Sequence, residues 1–188
     1  MNLPNALTLS RFVWTVIFVV LIGQNTFNST VAGALVFAVA SLTDLLDGYL
    51  AKKRGQITDF GKIMDPIADK FMILTAFVVF VGLGILPAWM VGLVFIREIA
   101  VTVSRVMRLR RGQVIAAEKA GKIKTTFQIG SIGIILLFLI LEKSRVSQNW
   151  SQSVEGGWIA VINILMLMTV FLTVNSGVSY FLNLRKTA

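Results

Sequence analysis

Four aspartates stand in two pairs whose spacing suits chemistry: Asp44 and Asp47 are three residues apart, Asp65 and Asp69 four apart. Either spacing sets both carboxylates on one face of a helix. Residues 44–70 hold five of the nine acidic residues in the chain, between two apolar runs. Carboxylates beside a hydrocarbon phase are costly unless they are paired or employed. Four converging carboxylates repel one another, and without a cation some of them must protonate. A hard divalent ion removes that conflict. All-oxygen ligation suits Mg2+ or Mn2+, and two ions could share bridging carboxylates. The chain has no His and no Cys, so any metal here is held by oxygen. The competing reading is a set of surface acids paired with Lys52, Lys53, Arg54 and Lys62. It suits Asp59, which, like Thr58, is placed to cap the next helix. It suits the other four less well, because the spaced pair occurs twice.

The elements that must position these carboxylates are apolar helices. The chain has 188 residues, 56% hydrophobic and only 14% charged. A soluble domain of that size cannot hide so much apolar surface, so the composition predicts an integral membrane protein. A helix crosses the hydrocarbon in about 20 mostly apolar residues. Candidate spans run over 7–22, 31–51, 63–83, 86–106, 125–141 and 157–182. The runs are continuous rather than alternating, which argues against a β-barrel. The expectation is an all-α, polytopic membrane protein: a six-transmembrane-helix bundle with a short N-terminal interfacial helix, in a single domain over residues 1–188. The first apolar segment resembles a signal peptide, but it lacks a basic stretch before the run and a small-residue cleavage site after it. It is read as a retained helix. The short connection KKRGQITDFG makes the second and third helices antiparallel neighbours, so the four carboxylates can converge.

Orientation follows from Lys and Arg. On these spans 16 of the 18 basic residues fall on one side and only Lys143 and Arg145 on the other. The positive-inside rule then puts the acidic cluster and both termini in the cytoplasm, at the cell membrane. The net charge of +9 fits this topology and attraction to anionic headgroups. No soluble module carries the charge, so no nucleic-acid partner is expected.

Gly48 follows Asp47 directly, and Gly61 precedes Asp65 by four residues. Small residues let helices approach closely, and they also leave room for a flat ligand group against the backbone. The full pattern Asp44-x2-Asp47-Gly48-x2-Ala51-Lys52-x8-Gly61-x3-Asp65-x3-Asp69 resembles the signature of the CDP-alcohol phosphotransferases. These are six-helix, usually dimeric membrane enzymes that move a phosphatidyl or similar group from a CDP-linked donor to an alcohol. One position departs, with Lys52 where the family usually has Arg. Lysine keeps the charge and loses the bidentate fork. The resemblance implies that Asp44, Asp47, Asp65 and Asp69 hold the ions, with Asp69 also the general base. It implies that Gly48, Lys52, Thr58 and Gly61 line the nucleotide slot, and that the enzyme works as a homodimer.

Three further stretches bear on the acceptor. The N-terminal NLPNALTLSR resembles the opening of the bacterial phosphatidylglycerophosphate synthases within that family, which implies that Asn5 and Thr8 bind CDP-diacylglycerol. Span four ends FIREIAVTVSR, where Arg97 and Glu98 interrupt an apolar run and are expected to face the bundle interior. Arg105, seven residues past Glu98, shares nearly the same face. With Lys122 and Lys124 of GKIKT it forms a basic pocket suited to an acceptor that itself carries a phosphate. REIAVTVSR and GKIKTTFQ are also similar to those synthases, and the last helix (NSGVSYFLNL) more weakly so. The resemblance thus implies sn-glycerol 3-phosphate as acceptor. An inositol-phosphate acceptor would want a similar pocket. A small divalent-cation transporter or channel is the alternative from another class. Against it, all four carboxylates sit at one membrane face.

Overall fold

In the computed structural model every described element is helical. The structure describes the backbone of residues 3–54, 59–110, 119–144, 147 and 150–186, and side chains within 10–43, 67–68, 70–108, 123–144, 147 and 150–184. Six helices follow in order: α1 (Leu3–Gly23), α2 (Phe27–Arg54), α3 (Asp59–Gly82), α4 (Ala88–Arg110), α5 (Lys119–Glu142) and α6 (Gln152–Lys186). Each contains most or all of one expected span and overruns it, because helical hydrogen bonding continues into the polar residues flanking the apolar run. The expected interfacial helix is not a separate element. Its residues form the first turns of α1, where Pro4 lies early enough to cost no intrahelical bond. Over Ile123–Glu142 of α5 and Gln152–Leu184 of α6 the chain is long and apolar enough to cross a membrane.

The chain divides into two compact units, one of Met1–Val79 with Leu136–Gln148, the other of Phe80–Ile135 with Asn149–Ala188. In the first, α1 and α2 form a hairpin. Asn25 makes the turn in the left-handed region (φ 55°), which Asn tolerates. Thr26 and Ser29 then cap α2 reciprocally: Ser29 N–H donates to Thr26 Oγ1 (3.3 Å) and Thr26 N–H to Ser29 Oγ (3.2 Å). Thr15, Phe18 and Ile22 of α1 are buried, as are Thr30, Gly33, Phe37 and Ala40 of α2, each series stepping by three or four. The Phe18 and Phe37 rings lie 5.8 Å apart. At Gly33 the helices come so close that a Cβ would stand 2.7 Å from Ile22 Cδ1.

In the second unit, α4 and α6 pack together, and α5 contributes Lys119–Ile135. Gly84, at φ +75°, makes the turn into α4. The buried series are Val91, Val94, Glu98 and Val101 on α4, Lys124, Gln128, Ser131 and Ile132 on α5, and Met166, Thr169, Thr173, Ser176 and Tyr180 on α6. This core is unusual in its polarity, whereas the outward faces are apolar: Leu93, Ile96, Ile164, Leu167, Phe171, Val178 and Leu182 are all exposed. That inversion is the reverse of a water-soluble helix.

Candidate active site

Asp44 and Asp47 lie within about the last three turns of α2, Asp65 and Asp69 within about the first three of α3. Both pairs fall on uninterrupted helix, so each spacing sets its pair on one helix face, as expected. Residues 55–58, including Thr58, lie outside the described residues. So do the side chains of Asp44, Asp47, Asp65, Asp69, Asn5, Thr8, Lys52 and Lys122, and the surroundings of Gly48 and Gly61. Among the described residues no group of three or more His, Cys, Asp or Glu could hold a metal. The donor set of the two helix ends is four carboxylates and no nitrogen or sulfur ligand, which by its chemistry fits a hard divalent cation.

The second unit has a charged core of its own. Glu98 is 2% exposed and is a hub. Its Oε1 accepts from Lys124 Nζ, from Arg97 Nη1 (3.2 Å) and from Gln128 Nε2 (3.3 Å). Arg97 also donates through Nη2 to Ser176 Oγ of α6. Burying a charge costs far more than burying an apolar group unless partners replace its water. One carboxylate between two cations satisfies that condition. Ser131 and Thr169 continue the polar seam between α5 and α6 with a 2.9 Å bond. On the other side of the hub, Tyr180 Oη reaches Ser104 Oγ at 3.4 Å.

Arg97 and Glu98 therefore point inward, as their place in an apolar run predicts. Of the three residues expected to hold the acceptor phosphate, two have described side chains, and they differ. Lys124 is 3% exposed, and its charge is directed at Glu98. The lone acid in span four and the buried lysine of GKIKT could have been matched by sign, but the sequence does not show which turns face each other. Arg105 is only partly buried, and its Nε lies out of solvent with no hydrogen-bond partner among the described residues. A buried guanidinium nitrogen without an acceptor is a donor ready for an oxyanion. Gln128, Ser176, Gly177 and Tyr180 were not marked by sequence reasoning as site residues. The only signal for the α6 group was the likeness of NSGVSYFLNL.

Helices and paired carboxylates are what the chain shares with a known class, and comparison with known proteins shows which. The chain belongs to the CDP-alcohol phosphatidyltransferase family, whose model matches residues 1–175. It is 37% identical over 192 residues to the CDP-diacylglycerol–glycerol-3-phosphate 3-phosphatidyltransferase of Bacillus subtilis (strain 168), covering 96% of this chain and 93% of that one. Against a probable phosphatidylglycerophosphate synthase of Mycobacterium tuberculosis (strain H37Rv) the identity is 38% over 183 residues, covering 95% and 79%. A CDP-diacylglycerol–glycerol-3-phosphate 3-phosphatidyltransferase of Rickettsia typhi is 30% identical over 180 residues, covering 96% and 95%.

Proposed function

We propose that the chain transfers the phosphatidyl group of CDP-diacylglycerol to sn-glycerol 3-phosphate, giving phosphatidylglycerophosphate and CMP. One observation carries this reading beyond the family: relatives named for that reaction align along nearly the whole chain at 30–37% identity. Arg105 supports it, because its buried Nε, without a hydrogen-bond partner among the described residues, suits a phosphorylated acceptor, whereas a serine or choline acceptor would not require it. The acceptor hydroxyl attacks the phosphorus that carries diacylglycerol, the bond to CMP breaks, and CMP leaves with the electron pair. Asp69 takes the hydroxyl proton as the bond forms.

Asp44, Asp47 and Asp65, with Asp69 as a further ligand, would hold Mg2+ or Mn2+, in two ions. When bound, these would offset charge on the diphosphate and on the departing CMP. Gly48, Lys52, Thr58 and Gly61 would line the cytidine diphosphate, and Asn5 and Thr8 would lie beside it. Lys53 and Arg54 stand next to Lys52 and can share its grip on phosphate. Arg105, Lys122 and Lys124 form the acceptor group, with Arg105 the clearest donor and Lys124 sharing its charge with Glu98. The apolar outward faces support a bundle of six spans in the cell membrane, both termini and the site on the cytoplasmic side. We take the whole chain as one domain and the working unit as a homodimer, as the resemblance implies.

The test is acceptor kinetics on purified protein, reading CMP. Arg105→Ala should raise the acceptor KM at least about tenfold, the loss expected from truncating a desolvated charge contact. The donor KM should stay near wild type, and unphosphorylated glycerol should be a poor substrate. Metal-dependent CMP release separates an enzyme from an ion channel in the same assay. No CMP release in any metal, or equal use of glycerol and glycerol 3-phosphate, would overturn the reading.

A further inference from the structure

Val91, Val94, Glu98 and Val101 make one buried stripe on α4, and Arg105 continues it four residues on. What sets the rotation and height of that stripe is its contact with α6. Arg97 crosses to α6 and donates to Ser176 Oγ. Its stem lies over Gly177, where a Cβ would stand 2.9 Å from Arg97 Cγ and 3.2 Å from Nε. The Cγ is close to the backbone of α4 and cannot swing aside as a side-chain tip can. About two turns along α4, the buried Tyr180 hydroxyl meets Ser104, the residue before Arg105. The stretch Ser176-Gly177-x2-Tyr180 therefore grips α4 at two points, at Arg97 and directly beside Arg105.

We propose that Ser176, Gly177 and Tyr180 are positioning residues for the acceptor site. They lock α4 so that Arg105 presents its desolvated Nε, which has no partner among the described residues, to an oxygen of the acceptor's phosphate. Glu98 completes the lock by balancing Arg97 and Lys124, which leaves Arg105 outside the ion-pair hub. Specificity for a phosphorylated acceptor is then set partly from α6, by residues that need not touch the substrate. The inference rests on the reading that Arg105 holds the acceptor phosphate.

The test is a set of variants on the full-length protein in lipid, with KM measured separately for donor and acceptor. Gly177→Ala should raise the acceptor KM by about tenfold, since misplacing a catalytic-site group by an ångström has effects of that order or more. Its donor KM should remain within about twofold of wild type, because only the acceptor contact is displaced. Arg97→Ala removes the atoms that the new methyl would meet and leaves Glu98 paired with Lys124. The Gly177→Ala/Arg97→Ala double variant should therefore be no worse than Arg97→Ala alone. Where Gly177→Ala fails to fold, the hydroxyl decides: Ser176→Ala should raise the acceptor KM and Ser176→Thr should restore it. Unchanged acceptor KM in the α6 variants, equal loss for both substrates, or multiplying effects in the double variant would overturn the proposal. Arg105→Ala separates the two failures. If it raises the acceptor KM while the α6 variants do not, the positioning idea falls alone. If it leaves the acceptor KM unchanged, the acceptor reading falls and this inference with it.

Discussion

At the scale of the residue, the proposed function gives two kinds of acid different tasks. Asp44 and Asp65 are ligands in the account given above, and Asn keeps their size while removing charge. Asp44→Asn or Asp65→Asn should cut turnover to near background with the protein still folded, because a hard-cation site depends on ligand charge. CMP release within a few-fold of wild type would remove that residue from the metal site. Glu98 is structural in the first place. Glu98→Gln removes the carboxylate charge that Lys124 and Arg97 share, and breaking a buried pair in this way costs about 3–5 kcal/mol. Removing both members of a pair together is often neutral, so Glu98→Gln/Lys124→Met, which leaves only Arg97 of the three charges, should recover part of the lost stability. Thermal unfolding in detergent reads the difference; equal destabilisation in the single and double variants would show that the pair is not the source. The two aspartate pairs were legible in the sequence because each has a helical spacing, three residues in one and four in the other, and both fall on helix. The ion pair was only half legible: Glu98 inside an apolar run announced a partner, but nothing local distinguished Lys124 from Lys122 or Arg105 as that partner.

At the scale of the element, the apolar runs gave the six helices and their order, while their ends were harder to place. Span two was expected to stop at 51 and α2 continues to Arg54; span four was expected to stop at 106 and α4 continues to Arg110. Hydropathy marks where a helix leaves the apolar phase, whereas backbone hydrogen bonding marks where it ends. Nor could composition show how closely two helices approach. Gly33 carries that information for α1 and α2: its missing Cβ admits Ile22, with Cδ1 at 2.7 Å and Cγ1 at 3.1 Å from the vacant position. In lipid, helices associate through such close packing rather than through exclusion of water. Gly33→Ala should lower the unfolding midpoint despite alanine's better helix propensity, which is worth about 1 kcal/mol. Adding Ile22→Val, which deletes Cδ1, should restore part of the loss. If Gly33→Ala is as stable as wild type, the contact is slack and the hairpin is held elsewhere.

At the scale of the whole molecule, two gradients in the sequence organise the protein. On the expected spans, the 16-to-2 division of basic residues would define one face, and the apolar outward surfaces of α4 and α6 against their polar inner stripes define an inside. The first could be counted directly from the sequence. The second could not, because Gln128, Thr173 and Ser176 look like scattered polar residues until α5 and α6 are packed. The central claim is the proposed reaction, transfer from a lipid donor to a phosphorylated acceptor. The most direct measurement is a competition. Purified protein is given CDP-diacylglycerol and a divalent ion with equal concentrations of sn-glycerol 3-phosphate, glycerol, inositol phosphate and serine, and the lipid products are identified by mass. The account predicts phosphatidylglycerophosphate as the dominant product, formed in step with CMP and lost when the ion is chelated. A dominant product bearing inositol phosphate or serine, or no lipid product at all, would contradict it.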